Sequence, residues 1–97
     1  MHLYAIRRRS IASPDDVEAV AARSADELDK RAGRVRRIRS YILAEPDGRL
    51  GTICIYEATE PEAIYEHGRA ADLAVDEVIK VNAIDVLRPD PASVLAP

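Results

Sequence analysis

Residues 35–57, VRRIRSYILAEPDGRLGTICIYE, decide the fold. Two runs rich in β-branched and aromatic residues flank Glu45-Pro46-Asp47-Gly48. Proline presets the first central position of a turn, and glycine takes the left-handed one. The reading is a hairpin, with a strand over 35–44 pairing back onto a strand over 50–57. Alternation along the first strand groups Ile38, Ser40, Ile42 and Ala44 on one side, and Val35, Arg37, Arg39, Tyr41 and Leu43 on the other.

Working outward, residues 2–8 read as a strand carrying Leu3, Tyr4 and Ile6. Ser13-Pro14-Asp15-Asp16 then reads as a helix start. Ser13 would cap, Pro14 would take the first helical position, and the two acids suit the positive end of the dipole. Val17, Val20, Ala21, Ser24 and Leu28 follow at helical spacing, and Gly33 is the expected stop. On the other side of the hairpin, Thr59 with Glu62 has the capping-box spacing. Ile64, His67, Gly68 and Ala71 share one stripe of that second helix. Residues 77–86 read as a fourth strand, closed by Arg88-Pro89-Asp90-Pro91 because proline cannot donate to a ladder.

The order is strand, helix, strand, strand, helix, strand. This is the split βαβ plan: an α+β, ferredoxin-like βαββαβ fold with a four-stranded antiparallel sheet and both helices on one face. The chain has 97 residues, room for one domain over 1–87 and a Pro/Ala-rich tail over 88–97. Hydrophobic residues make up 47% of it, but the aromatics are four tyrosines alone, so the core must be aliphatic and thin. The uncovered sheet face calls for a cover, and a second copy in a dimeric α+β barrel-like assembly is the simplest one.

Charge and composition exclude several classes. The net charge is −3, with eleven Lys/Arg against eight Asp/Glu in residues 1–49, and three against nine in 50–97. The basic half can serve an anionic partner or merely form internal ion pairs. No apolar run reaches membrane-spanning length, and Arg7-Arg8-Arg9 follow the first apolar residues instead of preceding a longer stretch as in a signal peptide. A lone Cys54 forms no intrachain disulfide and suits a reducing, cytoplasmic compartment. RNA-recognition domains share the strand order, but they need stacking aromatics that 49–56 supplies only at Tyr56; with a pI near 5.3, no nucleic-acid partner is expected.

Aliphatic content assigns Ile53, Ile55 and Glu57 to the helix side of the third strand, leaving Thr52, Cys54 and Tyr56 on the open side. Arg37, Arg39 and Tyr41 from the second strand and Leu3, Ala5 and Arg7 from the first join them there. Arg7, Arg39, Tyr41, Cys54 and Tyr56 are then expected to converge as a cationic, phenol-bearing cluster. It would need carboxylates, from a partner subunit or a neighbouring acid, or a bound small anion. His67 is a weak metal candidate, since no spacing brings a second histidine or cysteine to it. There is no phosphate loop and no nucleophile with a histidine near it in sequence.

The stretches Arg39-Ser40-Tyr41-Ile42, Pro46-Asp47-Gly48, Cys54-Ile55-Tyr56-Glu57-Ala58, Pro61-Glu62-Ala63-Ile64 and Glu66-His67 resemble the domain-of-unknown-function family 4242. One type of member is described as nickel-binding or nickel-responsive. The resemblance spans roughly residues 2–86 and implies a ferredoxin-like fold, dimeric association and no settled activity. Cys54 and His67 stand where the family has them. Arg37 and Arg39 stand where members often carry Trp and His, and Arg7 where they often carry Glu. Arginines cannot ligate a cation and repel it, so the resemblance implies a pocket here turned from cation-friendly to anion-friendly. Three readings follow: a non-catalytic small-ligand or metal-binding dimeric module, a cofactor-independent α+β barrel enzyme of monooxygenase or isomerase type using Tyr41, Tyr56, His67 and the arginines, or a protein-interaction domain.

Overall fold

A computed structural model describes residues 1–92 of the chain. The elements run β1 (His2–Ala12), α1 (Val17–Asp29), β2 (Val35–Ala44), β3 (Leu50–Ala58), α2 (Pro61–Ala70) and β4 (Glu77–Lys80). All pairings are antiparallel, in the order β2-β3-β1-β4. The βαββαβ order and the four-stranded sheet agree with the sequence reading.

The hairpin turn forms as its residues require. Gly48 sits at φ +86°, its N–H donates to the Glu45 carbonyl at 3.0 Å, and the Asp47 carboxylate accepts from the Arg49 N–H at 2.9 Å. Gly51, one turn on, is a close approach: a Cβ there would lie 2.7 Å from the Arg8 carbonyl oxygen.

The helix starts differ from expectation. Residues 13–16 form a turn closed by the Asp16 N–H on the Ser13 carbonyl, and α1 begins at Val17. Ser13 spends its hydroxyl on the Asp16 carboxylate at 3.0 Å, not on a helix N–H. Pro61 takes the first position of α2, so Glu60 is the cap residue and the Thr59–Glu62 box is not made. α1 ends at Asp29, before Gly33. The α2 stripe holds, with Ile64, His67, Gly68 and Ala71 buried, whereas on α1 Val20, Ser24 and Leu28 are buried, Val17 is half-buried and Ala21 is exposed.

β4 is four residues long, shorter than the expected 77–86. After the Val81 N–H reaches the Leu3 carbonyl, the chain leaves the sheet edge. Asp90 then accepts from Tyr41 Oη at 2.8 Å and Arg39 Nη1 at 3.1 Å, drawing the segment toward β2 at the opposite edge. Residues 93–97 of the expected tail lie outside the described residues.

The largest correction concerns the faces of the sheet. The core under the helices is built from Tyr4 and Ile6 of β1, Cys54, Tyr56 and Ala58 of β3, Val35 of β2, and Leu28, Ala63 and Ile64 of the helices. Cys54 and Tyr56 therefore face the helices, and Ile53, Ile55 and Glu57 face the open side. Both residue sets of β3 are apolar enough for burial, so alternation alone could not rank them. β2 carries a second surprise. Arg37 pairs with Tyr56 but Arg39 pairs with Ile55, so Ile38 is an inserted bulge residue that resets the alternation. Val35 and Arg37 thus share the helix side with Ser40 and Ile42, while Arg39 and Tyr41 take the open side.

Candidate functional site

Strand β1 alternates inward through Tyr4, Ile6 and Arg8, and all three are buried. Arg8 is only 1% exposed, although it is a permanently charged side chain. Thr52 opposes it on β3, and Cys54 lies one inward position further along β3. Arg8 Nη1 reaches Cys54 Sγ at 3.9 Å. Its Nε and Nη2 meet no acceptor, and the Thr52 hydroxyl, also buried, has no partner either. Arginine is almost never buried unless paired, because the desolvation of an ion costs several kcal/mol.

A cavity of about 60 Å³ opens beside this group, between α1 and the sheet. Arg8, Thr52, Cys54, Ser24, Ser40 and Arg37 are the polar residues of its lining. The rest of its lining is aliphatic, made by Ile11, Val17, Val20, Ala21, Ile42 and Leu73. Arg37 and Ile42 are exposed and stand at the mouth. Ser40 Oγ donates to Cys54 Sγ at 3.1 Å, so the thiol lies between a hydroxyl and a guanidinium.

Behind Arg8 the polar groups form a chain. Its guanidinium carbon lies 5.8 Å from the Tyr56 ring centroid, in cation–π range. Tyr56 meets the His67 ring edge-on, with centroids 5.8 Å apart. His67 Nε2 lies 3.1 Å from the Ser24 carbonyl oxygen and 3.3 Å from its hydroxyl. A carbonyl only accepts, so Nε2 carries the proton and Nδ1 is the bare nitrogen, buried and unpartnered. Burial drives the His67 pKa below its usual 6.5, helped by the positive charges of Arg8, Arg31 and Arg37, against the Ser24 bond that pulls the other way. Burial also raises the Tyr56 pKa, against the pull of Arg8.

The expected convergence of Arg7, Arg39, Tyr41, Cys54 and Tyr56 does not form. Arg7 lies on the open side, ion-paired to Glu45 and donating to the Arg8 and Thr52 carbonyls. Arg39 and Tyr41 are on the same side, tied to Asp90. Cys54 lines the inner cavity, whereas Tyr56 and His67 lie behind Arg8, outside its lining. The residue that sequence reasoning missed is Arg8. Its signal was phase: it continues the Tyr4–Ile6 alternation, and that set is the buried one.

A scan of family models matches residues 4–81 to the nickel responsive protein SCO4226-like family. The chain belongs to this family. Among solved structures, it is similar to SCO4226 from Streptomyces coelicolor A3(2), at 17% identity and a TM-score of 0.65, over 86% of this chain and 99% of that one. At that identity the likeness carries the fold alone. The curated proteins hold no match to the chain.

The family's name raises nickel, and the residues here do not fit that ion. Among the described residues no group of three or more His, Cys, Asp or Glu side chains converges. Cys54, the one soft donor in the cavity, shares it with the Arg8 and Arg37 guanidiniums, which repel a divalent cation. His67 Nε2 is committed to Ser24, and its bare Nδ1 is buried on a residue outside the cavity lining. The inner pocket is cationic, and the carboxylates that ion-pair in this structure sit elsewhere on the molecule.

Proposed function

We propose that this member of the SCO4226-like family is a non-catalytic module that binds a small anion in the cavity between α1 and the sheet. The observation that supports it is Arg8, a buried cation with three N–H groups, on Nε and Nη2, left without an acceptor. An anion seated against it would supply the missing partner, and charge-assisted hydrogen bonds are the strong class. Arg37 at the mouth adds a second positive charge that favours entry of anions over cations.

The reading is tested by thermal unfolding of wild type and Arg8→Met in sodium nitrate, phosphate, sulfate and acetate. A ligand that binds only the folded state raises stability by about 2.7 kcal/mol at a hundredfold excess over Kd. Wild type should gain melting temperature with at least one anion, in a saturable way, and Arg8→Met should not. Equal responses of the two proteins would remove Arg8 from the site.

A second copy is proposed as the cover of the open face. Tyr41, Ile53 and Ile79 project from that face at 38%, 39% and 58% exposure, apolar groups that a second copy would cover. Light scattering after gel filtration should give twice the monomer mass, and Ile53→Glu should halve it. A wild-type protein that runs as a monomer at all concentrations would rule this out.

A further inference from the structure

Resting on the anion site just described, we infer that its ligand is a short-chain aliphatic monocarboxylate. The unpartnered atoms of Arg8 are Nε and Nη2, while Nη1 is turned to Cys54 Sγ at 3.9 Å. Nε and Nη2 share one long edge of the planar guanidinium. Their N–H bonds run parallel, at the spacing of two carboxylate oxygens, which is the bidentate arrangement arginine offers best. The Thr52 hydroxyl, buried and unpartnered on the same wall, is a further donor for either oxygen.

The remainder of the cavity selects against other anions. A tetrahedral oxyanion carries acceptors on every side. Beyond Arg8 and Thr52 the lining offers its other oxygens Ser24, Ser40 and Arg37, but half of it, Ile11, Val17, Val20, Ala21, Ile42 and Leu73, has no side-chain donor. Burying an oxygen without a hydrogen bond is costly. A carboxylate concentrates its acceptors at one end, and its alkyl chain suits the aliphatic wall. Charge points the same way, because Arg8 is the one cation of the pair that is fully buried, and a monoanion balances it. Size sets the length. About 60 Å³ is room for a few ordered waters, or for a carboxylate with a short alkyl chain before the chain emerges past Ile42.

Calorimetric titration of the full chain with sodium acetate, propionate, butyrate, hexanoate, nitrate, phosphate and sulfate decides the matter. Wild type should bind the carboxylates tightest. Affinity should rise about fourfold for each methylene that becomes buried and level off once the chain reaches solvent. Arg8→Met should lose at least tenfold for every carboxylate, and Thr52→Val several-fold. Ala21→Leu keeps all charges and narrows the aliphatic end. It should weaken butyrate more than acetate, which keeps the test open if Arg8→Met fails to fold. Binding of nitrate, phosphate or sulfate through Arg8 with carboxylates no tighter would overturn the carboxylate assignment and leave the anion site standing. A flat dependence on chain length, unchanged by Ala21→Leu, would overturn it as well. No binding by any of the seven anions would overturn both the assignment and the site.

Discussion

The guanidinium of Arg8 lies over the ring of Tyr56, its carbon 5.8 Å from the ring centroid, and beside this contact it has Cys54 Sγ at 3.9 Å from Nη1. A cation–π contact supplies about 2 kcal/mol when desolvated. The desolvation of an arginine costs more than that, so the charge is a net destabilising element in the absence of a ligand. Around the same guanidinium, Nη1 reaches Cys54 Sγ while Nε and Nη2 have no partner.

Arg8→Met is therefore expected to raise stability in buffer free of carboxylate and oxyanions, by about 1–4 kcal/mol, the range seen when buried ionic groups give way to well-packed apolar ones. Urea unfolding followed by circular dichroism measures it. A loss of stability on this substitution would show that the charge is already balanced within the folded chain.

His67 makes stability depend on pH. Its folded pKa lies below 6.5, chiefly because it is buried, so the unfolded chain takes up a proton that the folded chain declines. The stabilising contribution is present above 6.5 and is lost as pH falls through that value toward the folded pKa. Urea midpoints measured between about pH 5 and 7.5 should fall toward the acid side, and His67→Gln, which keeps a donor for the Ser24 carbonyl, should flatten the slope. An unchanged slope in His67→Gln would place the dependence on other groups.

Gly51→Ala should destabilise the protein by about 1–3 kcal/mol, the usual cost of overpacking. The new Cβ would meet the Arg8 carbonyl oxygen at 2.7 Å and Glu45 Oε1 at 2.6 Å, and the first is backbone that cannot swing aside. Since Arg8 is the residue displaced, anion-dependent stabilisation should fall in the same variant. Gly33→Ala, with open space around the added methyl, is the control and should change little.

Nickel should bind weakly or not at all. Two guanidiniums at the inner cavity oppose a divalent cation, and no three metal-ligating side chains converge among the described residues. Calorimetry with nickel chloride against wild type and His67→Gln checks this. Tight binding that disappears with His67 would contradict the electrostatic argument and require a rearranged pocket.

The strand and helix order was readable in the sequence because each element carries a local signal. Pro46-Asp47-Gly48 can do little else but turn, and Val20, Ser24 and Leu28 mark one helical stripe whatever lies beneath them. Boundaries were less legible. Ser13 and Thr59 have capping chemistry, yet Asp16 and Glu60 stand at the helix starts, since a cap is chosen by where the chain arrives from the sheet.

The site was hidden for a definite reason. The sheet alternates apolar with apolar, as Tyr4 and Ile6 against Leu3 and Ala5, or Cys54 and Tyr56 against Ile53 and Ile55. Period two then says which residues share a face but not which face meets the helices. One inserted residue, Ile38, shifts β2 by a further step and separates Arg37 from Arg39. Local chemistry thus determined the order of elements, the turn and the stripes of the helices. Only tertiary packing, by choosing which face of β1 lies beneath α1 and α2, carried the Arg8 charge inside and made a pocket around it.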